Sequence, residues 1–146
     1  GFILNRTNTK LKNRLHQEFK DYDVTPEQWS LLNCVSIDKP ITPKEISDII
    51  YKDKPNTKRI LGKLFEKKLI YKVPHPTDRR SFHVFLTDEG LKLRTTLVPI
   101  AYAITEKLTD GLSPEKVQEL KDLLNLLYNN ADFFFFFHKY FIRSDK

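Results

Sequence analysis

The sequence holds no methionine, not even at residue 1, and a single cysteine, Cys34. One thiol cannot close a disulfide within the chain, so a disulfide scaffold is excluded and a reducing, cytoplasmic compartment is expected. The missing methionine leads to the expectation that the natural start lies before Gly1. No apolar run approaches the roughly 20 residues of a membrane span. The opening residues also lack the basic region, apolar core and cleavage site of a signal peptide, so neither a membrane protein nor a secreted one is expected. His16, His75, His83 and His138 are scattered without the close spacing of metal ligands, and the four glycines form no phosphate-binding loop. With no Ser-His-Asp arrangement and no convincing carboxylate pair, an enzyme is the weakest reading, and no metal or other cofactor is expected.

Charge is what the chain does have, in one place. Between Lys52 and Arg80 stand ten Lys or Arg residues against three acids, a balance of +7 where the whole chain carries +6. The remaining residues are therefore close to neutral. A basic patch confined to one candidate helix and one candidate hairpin is the footprint of phosphate-backbone binding. A charge run is more often a solvated face, so the order of elements around it has to carry the argument.

Four segments share one helix-start grammar, at Thr25, Thr42, Thr87 and Ser113. Each places a Thr or Ser where its oxygen can accept an N–H of the first turn, with apolar residues before and after it. Three add Pro at the first helical position, where the missing donor costs nothing. A first helix precedes them, with Leu4, Leu11, Leu15, Phe19 and Tyr22 on one stripe. Another lies between Lys54 and Lys68, where Thr57, Ile60, Leu61, Leu64 and Phe65 share a face. Ile70 to Val73 and Phe82 to Leu86, parted by Pro74 and Pro76, read as a hairpin. The long helix from Thr87 to about Leu108 contains Pro99, which predicts a kink. The fold expected is mainly α with a small β-hairpin wing. A winged helix-turn-helix spans residues 25–87, and residues 1–24 and 88–146 form a helical dimerisation region.

Leu64-Phe65-Glu66-Lys67-Lys68-Leu69-Ile70, seven residues, Asp78-Arg79-Arg80, six residues, then Thr87-Asp88-Glu89-Gly90 resembles the MarR family of winged-helix transcription regulators. Thr25-Pro26-Glu27-Gln28-Trp29 looks like that family's usual opening of its second helix. The chain departs from the pattern twice, with Phe65 where the family usually has an acid and Lys68 where it usually has glycine. A non-glycine residue in the left-handed conformation at that helix end costs about 1 kcal/mol.

On the candidate recognition helix Asn56, Arg59 and Lys63 line one outward edge. Arg matches guanine and Asn matches adenine in a major groove, while Lys58 and Lys67 flank that edge and suit phosphates. Thr57 belongs to the apolar side by spacing but is counted with the DNA-contacting set. The resemblance implies that an arginine of the wing, Arg79 or Arg80, enters the minor groove and that Asp78 braces the loop. It implies as partners a near-palindromic double-stranded DNA operator and a second copy of the chain. It also implies repression released by a small aromatic or anionic ligand, for which His16, Tyr22, Trp29 and Tyr102 are candidate lining. Two alternatives stay open: a winged-helix module that binds an acidic protein, and a redox-sensing regulator acting through Cys34. The run Phe133 to Phe137 goes all round a helix and is read as buried in the dimer interface, or as a disordered or non-native tail.

Overall fold

Each of the four helix starts forms where its grammar places it. Thr25 Oγ1 accepts the Gln28 N–H at 3.2 Å and Gln28 Oε1 accepts the Thr25 N–H in return. Thr42 and Glu45 close the same reciprocal box, with Glu45 Oε2 2.7 Å from the Thr42 nitrogen. Those bonds from Thr42 hold the Glu45 carboxyl below the usual carboxylate range. Ser113 Oγ accepts the Lys116 N–H, and Thr87 Oγ1 accepts the Gly90 N–H at 3.0 Å.

The computed structural model describes the backbone of residues 1–141 and the side chains up to residue 131. Its elements are α1 (Phe2–Phe19), a 3₁₀ turn (Lys20–Tyr22), α2 (Pro26–Cys34), α3 (Pro43–Ile49), α4 (Lys54–Glu66), β1 (Ile70–Pro74), β2 (Phe82–Leu86), α5 (Asp88–Leu108) and α6 (Pro114–Phe141). This is the mainly helical chain with a hairpin wing that the sequence predicts. The side chains of Phe133 to Phe137 lie outside the described residues.

Two compact units result, residues 1–105 and residues 106–146. In the first, Phe19, Leu31, Leu32, Ile46, Leu64, Leu86 and Leu97 are almost wholly buried in one apolar cluster. Each such side chain contributes about 1.5–3 kcal/mol of transfer free energy. The end of α1 and the first half of α5 thus share a core with the winged helix. In the second unit a turn with Gly111 at φ 80° leads into α6. The α6 residues Leu120, Leu123, Leu124 and Leu127 are exposed.

The turn between α3 and α4 is clamped by one small side chain. Ser47 is 8% exposed; its carbonyl accepts the Lys52 N–H at 3.2 Å and its hydroxyl donates to the Lys52 carbonyl at 3.1 Å. Tyr51 takes a left-handed φ of 51° to make this possible. Asp53 then caps α4 by accepting the Asn56 N–H at 2.8 Å. The helix-start grammar missed this cap because its proline stands at the second helical position, Pro55.

The exit from α4 is a Schellman turn built on a lysine. Leu69 N–H bonds the Leu64 carbonyl at 3.1 Å, Lys68 N–H bonds the Phe65 carbonyl at 3.0 Å, and Lys68 has φ 57°. The freed carbonyls of Lys68 and Leu69 accept from Thr87 Oγ1 at 2.8 Å and Thr87 N–H at 3.1 Å. Gly90 completes the junction, since a Cβ there would stand 1.9 Å from the Leu69 oxygen.

The hairpin pairs antiparallel from Ile70↔Leu86 to Pro74↔Phe82. One feature differs from the sequence reading, which gave the wing two strands. The other edge of β2 is also paired, through Val84 N–H to the Ile41 carbonyl at 2.8 Å and Leu86 N–H to the Ser36 carbonyl at 2.9 Å. A one-residue bridge is too short to carry the alternation that marks a strand in sequence. Helix α5 runs through Pro99 from Asp88 to Leu108.

Gly90→Ala is expected to destabilise the protein by more than about 2 kcal/mol, because the clash is with backbone that has no room to yield. Lys68→Gly is expected to stabilise it by about 0.5–1 kcal/mol through relief of the left-handed strain. Urea unfolding followed by circular dichroism measures both shifts.

Candidate nucleic-acid interface

The basic residues of α4 divide by what their neighbours do to them. Lys58, Arg59 and Lys63 are exposed on one side of the helix. Lys63 Nζ lies 2.9 Å from Glu66 on the surface, a pairing worth little in water. Asn56 is exposed as well, and its amide donates to Asp53 Oδ2 at 2.9 Å, so the cap fixes its orientation. The Asn56 N–H and amide hold the Asp53 carboxyl below its ordinary range.

Two members of the expected set turn out to face inward. Thr57 is 1% exposed and its hydroxyl donates to the Asp53 carbonyl at 3.0 Å, so it belongs to the core and not to a contact surface. Lys67 reaches back to the segment before α2. Its ammonium bonds the Asp23 carbonyl, sits 3.1 Å from the Asp23 carboxylate and 3.3 Å from Gln28 Oε1. A lysine committed to three acceptors ties α4 to α2 and is not presented to a phosphate.

Asp78, Arg79 and Arg80 are exposed at the wing tip. The loop is closed by His75 N–H to the Ser81 carbonyl and Ser81 N–H to the Asp78 carbonyl. Asp78 Oδ1 accepts the Arg80 N–H at 2.9 Å. His75 Nδ1 accepts the Asp78 N–H at 3.0 Å and the Thr77 N–H at 3.3 Å. Sequence reasoning weighed His75 only as a metal ligand, and no spacing rule marks a ring nitrogen as a loop acceptor.

Helix and wing open onto a common hollow of about 790 Å³ between α3, α4 and the hairpin. Lys44, Lys54, Lys58, Lys72 and Arg80 line it, over a floor that includes Leu61, Phe65 and Phe82. The ring centroids of Phe65 and Phe82 are 6.3 Å apart, and Lys72 Nζ sits over both, 5.9 Å and 5.4 Å from them. Phe65 therefore supports the wing against α4, as its place on the apolar face suggested. Five cations from three segments thus meet on one concave surface, which the charge count alone did not reveal.

The candidate ligand lining lies elsewhere. His16 and Tyr102 are on exposed faces of α1 and α5, and Tyr22 is exposed in the 3₁₀ turn. Trp29 packs on Phe19 with ring centroids 5.5 Å apart, and its indole N–H is buried with no hydrogen-bond partner among the described residues. Cys34 is half-buried, and its thiol donates to the Ser30 carbonyl at 3.2 Å. Burial pushes this thiol above its ordinary value, which disfavours the reactive thiolate.

The sequence model of the MarR family matches residues 22–81, from the 3₁₀ turn to the wing. The multiple antibiotic resistance protein MarR of Escherichia coli K12 is 26% identical over 125 residues, covering 85% of this chain and 87% of that protein. Residues 22–81 thus match the MarR family of transcription regulators, and the chain is similar to its members over most of its length. A mutant E. coli MarR solved in complex with operator DNA superposes with a TM-score of 0.80 at 25% identity, covering 87% of this chain and 91% of that one. The Staphylococcus aureus MepR–DNA complex shares the fold, with a TM-score of 0.83 at 24% identity, covering 88% and 96% of the two chains. Against the usual MarR-family pattern, the glycine expected after α4 is Lys68, and the structure places it in the left-handed conformation that glycine would take.

Gly62 is half-buried at the rim of the hollow, and a Cβ there would meet nothing within 4 Å. Gly62→Ala is expected to stabilise the fold by about 0.8 kcal/mol, the difference in helix propensity. If a DNA backbone approaches this turn closely, the same variant loses affinity for duplex DNA while gaining stability. Paired unfolding and binding titrations read the two effects separately.

Proposed function

We propose that the protein is a homodimeric, sequence-specific DNA-binding transcription regulator. Helix α4 enters a major groove with Asn56, Arg59 and Lys63 toward the bases, and Lys58 meets phosphates. A wing arginine, Arg79 or Arg80, reaches the adjacent minor groove, where the narrow walls concentrate negative potential. The observation that carries this reading is the concave basic surface shared by α3, α4 and the wing. A groove-reading protein needs cations on a helix and a hairpin held at one separation, whereas binding to an acidic protein has no such requirement.

The proposal of a dimer is supported by what the chain leaves uncovered. Phe2, Ile3 and Leu4 on α1 and Leu120, Leu123, Leu124 and Leu127 on α6 are exposed. Apolar stripes of this extent are characteristic of interfaces. Covered by a second copy, α1, α5 and α6 would set two recognition helices about one DNA turn apart, which matches a near-palindromic operator. Repression released by a small aromatic or anionic ligand is the regulatory reading that the family resemblance supports.

Arg79→Ala or Arg80→Ala is expected to weaken operator binding at least about tenfold, and Lys58→Ala to weaken all duplexes alike and lower the salt slope by about one. Unfolding midpoints should not move, since these side chains are exposed. Unchanged affinity for both arginine variants in a salt-controlled titration removes the wing from the mechanism. Sedimentation equilibrium is expected to give twice the chain mass, and a monomer at micromolar concentration contradicts the pairing.

A further inference from the structure

The turn between β1 and β2 presents both wing arginines, and it is organised by a side chain outside the basic set. His75 Nδ1 accepts the Asp78 N–H at 3.0 Å and the Thr77 N–H at 3.3 Å. Asp78 Oδ1 in turn accepts the Arg80 N–H at 2.9 Å. A continuous chain of bonds therefore runs from the imidazole through Asp78 to the backbone of Arg80. Backbone donors aimed at Nδ1 place the ring proton on Nε2. A protonated imidazole donates at both nitrogens and accepts at neither, so it cannot hold those two N–H groups.

We propose that His75 is a positioning residue for the wing arginines, and that DNA binding weakens when its ring is protonated. This rests on the reading that the wing contacts DNA. Imidazole is the side chain whose ordinary titration range, around pH 6.5, lies close to neutrality.

The surroundings oppose one another. The His83 ring of β2 has its centroid 4.5 Å from that of His75, so two imidazolium rings there would repel. Glu45 of α3, set below its usual range first by Thr42, also faces His83 and His75. Lys44 of α3, Lys54 and Lys58 of α4, Lys72 of β1, Arg80 and the acidic Asp78 line the same hollow as His75. Added positive charge alone would tighten binding to phosphates. Loss of the Nδ1 acceptor would loosen the loop that carries Arg79 and Arg80. The sign of the pH effect therefore separates positioning from charge.

The test is a titration, at fixed salt, of a duplex enriched by selection for binding to the full chain at about pH 7.5, repeated at about pH 5.5. The parent is expected to lose about tenfold in affinity on acidification, the scale of one or two lost hydrogen bonds. His75→Asn supplies an amide oxygen close to the position of Nδ1, an acceptor that does not titrate. It is expected to bind like the parent at the higher pH and to change by less than about twofold at the lower one. His75→Ala, with no acceptor, is expected to bind weakly at both. A parent that tightens or stays level on acidification overturns the proposal, as does a His75→Asn variant that falls in step with the parent. Arg79→Ala and Arg80→Ala titrated at the higher pH keep the two readings apart. If both bind like the parent, the wing contact itself has failed; if they weaken while His75→Asn loses affinity in step with the parent on acidification, only the role of His75 has.

Discussion

Leu69 is where three parts of the molecule are fixed to one another. Its N–H closes the turn that ends α4 on the Leu64 carbonyl, while its carbonyl accepts the Thr87 N–H that begins α5 and lies against the bare Cα of Gly90. Between these two contacts the chain makes the whole wing, so the hairpin leaves and returns at one point. A side chain at Gly90 would push the α5 start away, and with it the root of β2. The spacing from the α4 exit to Thr87 and Gly90 is thus the covalent record of a close backbone approach. Lys68 tolerates a left-handed backbone so that this turn keeps its bonds, and the strain is small beside the packing it preserves.

Much of the fold was legible because it follows from local chemistry. Capping boxes at Thr25 and Thr42 satisfy orphan backbone donors within four residues, so sequence proximity and spatial proximity coincide. The wing's strands were readable from a β-rich tetrad, Ile70 to Val73, and a five-residue run, Phe82 to Leu86, parted by two prolines. What could not be read was set by contacts distant in sequence. Lys67 looks like any surface lysine until α2 brings Asp23 and Gln28 to it. The Ile41 bridge to Val84 depends on where α3 is held, and Ser47 shows its role only once Lys52 folds back onto it.

The candidate site divides along the same line. Asn56, Arg59 and Lys63 are exposed on the outward edge that helical spacing assigned to them, with Lys58 flanking it, because α4 buries Ile60, Leu61 and Leu64. Thr57 shares that buried side, and its hydroxyl is satisfied by the helix itself. The hollow between α3, α4 and the wing needed three-dimensional information, since it joins Lys44 to Arg80 across most of the winged helix. Phe65 and Phe82 form an aromatic floor under Lys72 that packs the loop end of the hairpin against α4. That arrangement holds helix and hairpin at one separation, which a groove-reading protein requires.

The central claim is that the outward edge of α4 and the wing beside this hollow read a DNA sequence and do not merely attract phosphate. The most direct measurement is selection of bound fragments from the source genome at fixed salt, followed by salt titrations of an enriched duplex and its scrambled counterpart. The account predicts enrichment of near-palindromic sites whose halves lie about one helical turn apart, bound more tightly than the scrambled duplex at every salt concentration. No enriched sequence, with affinity that follows salt alone, would contradict it.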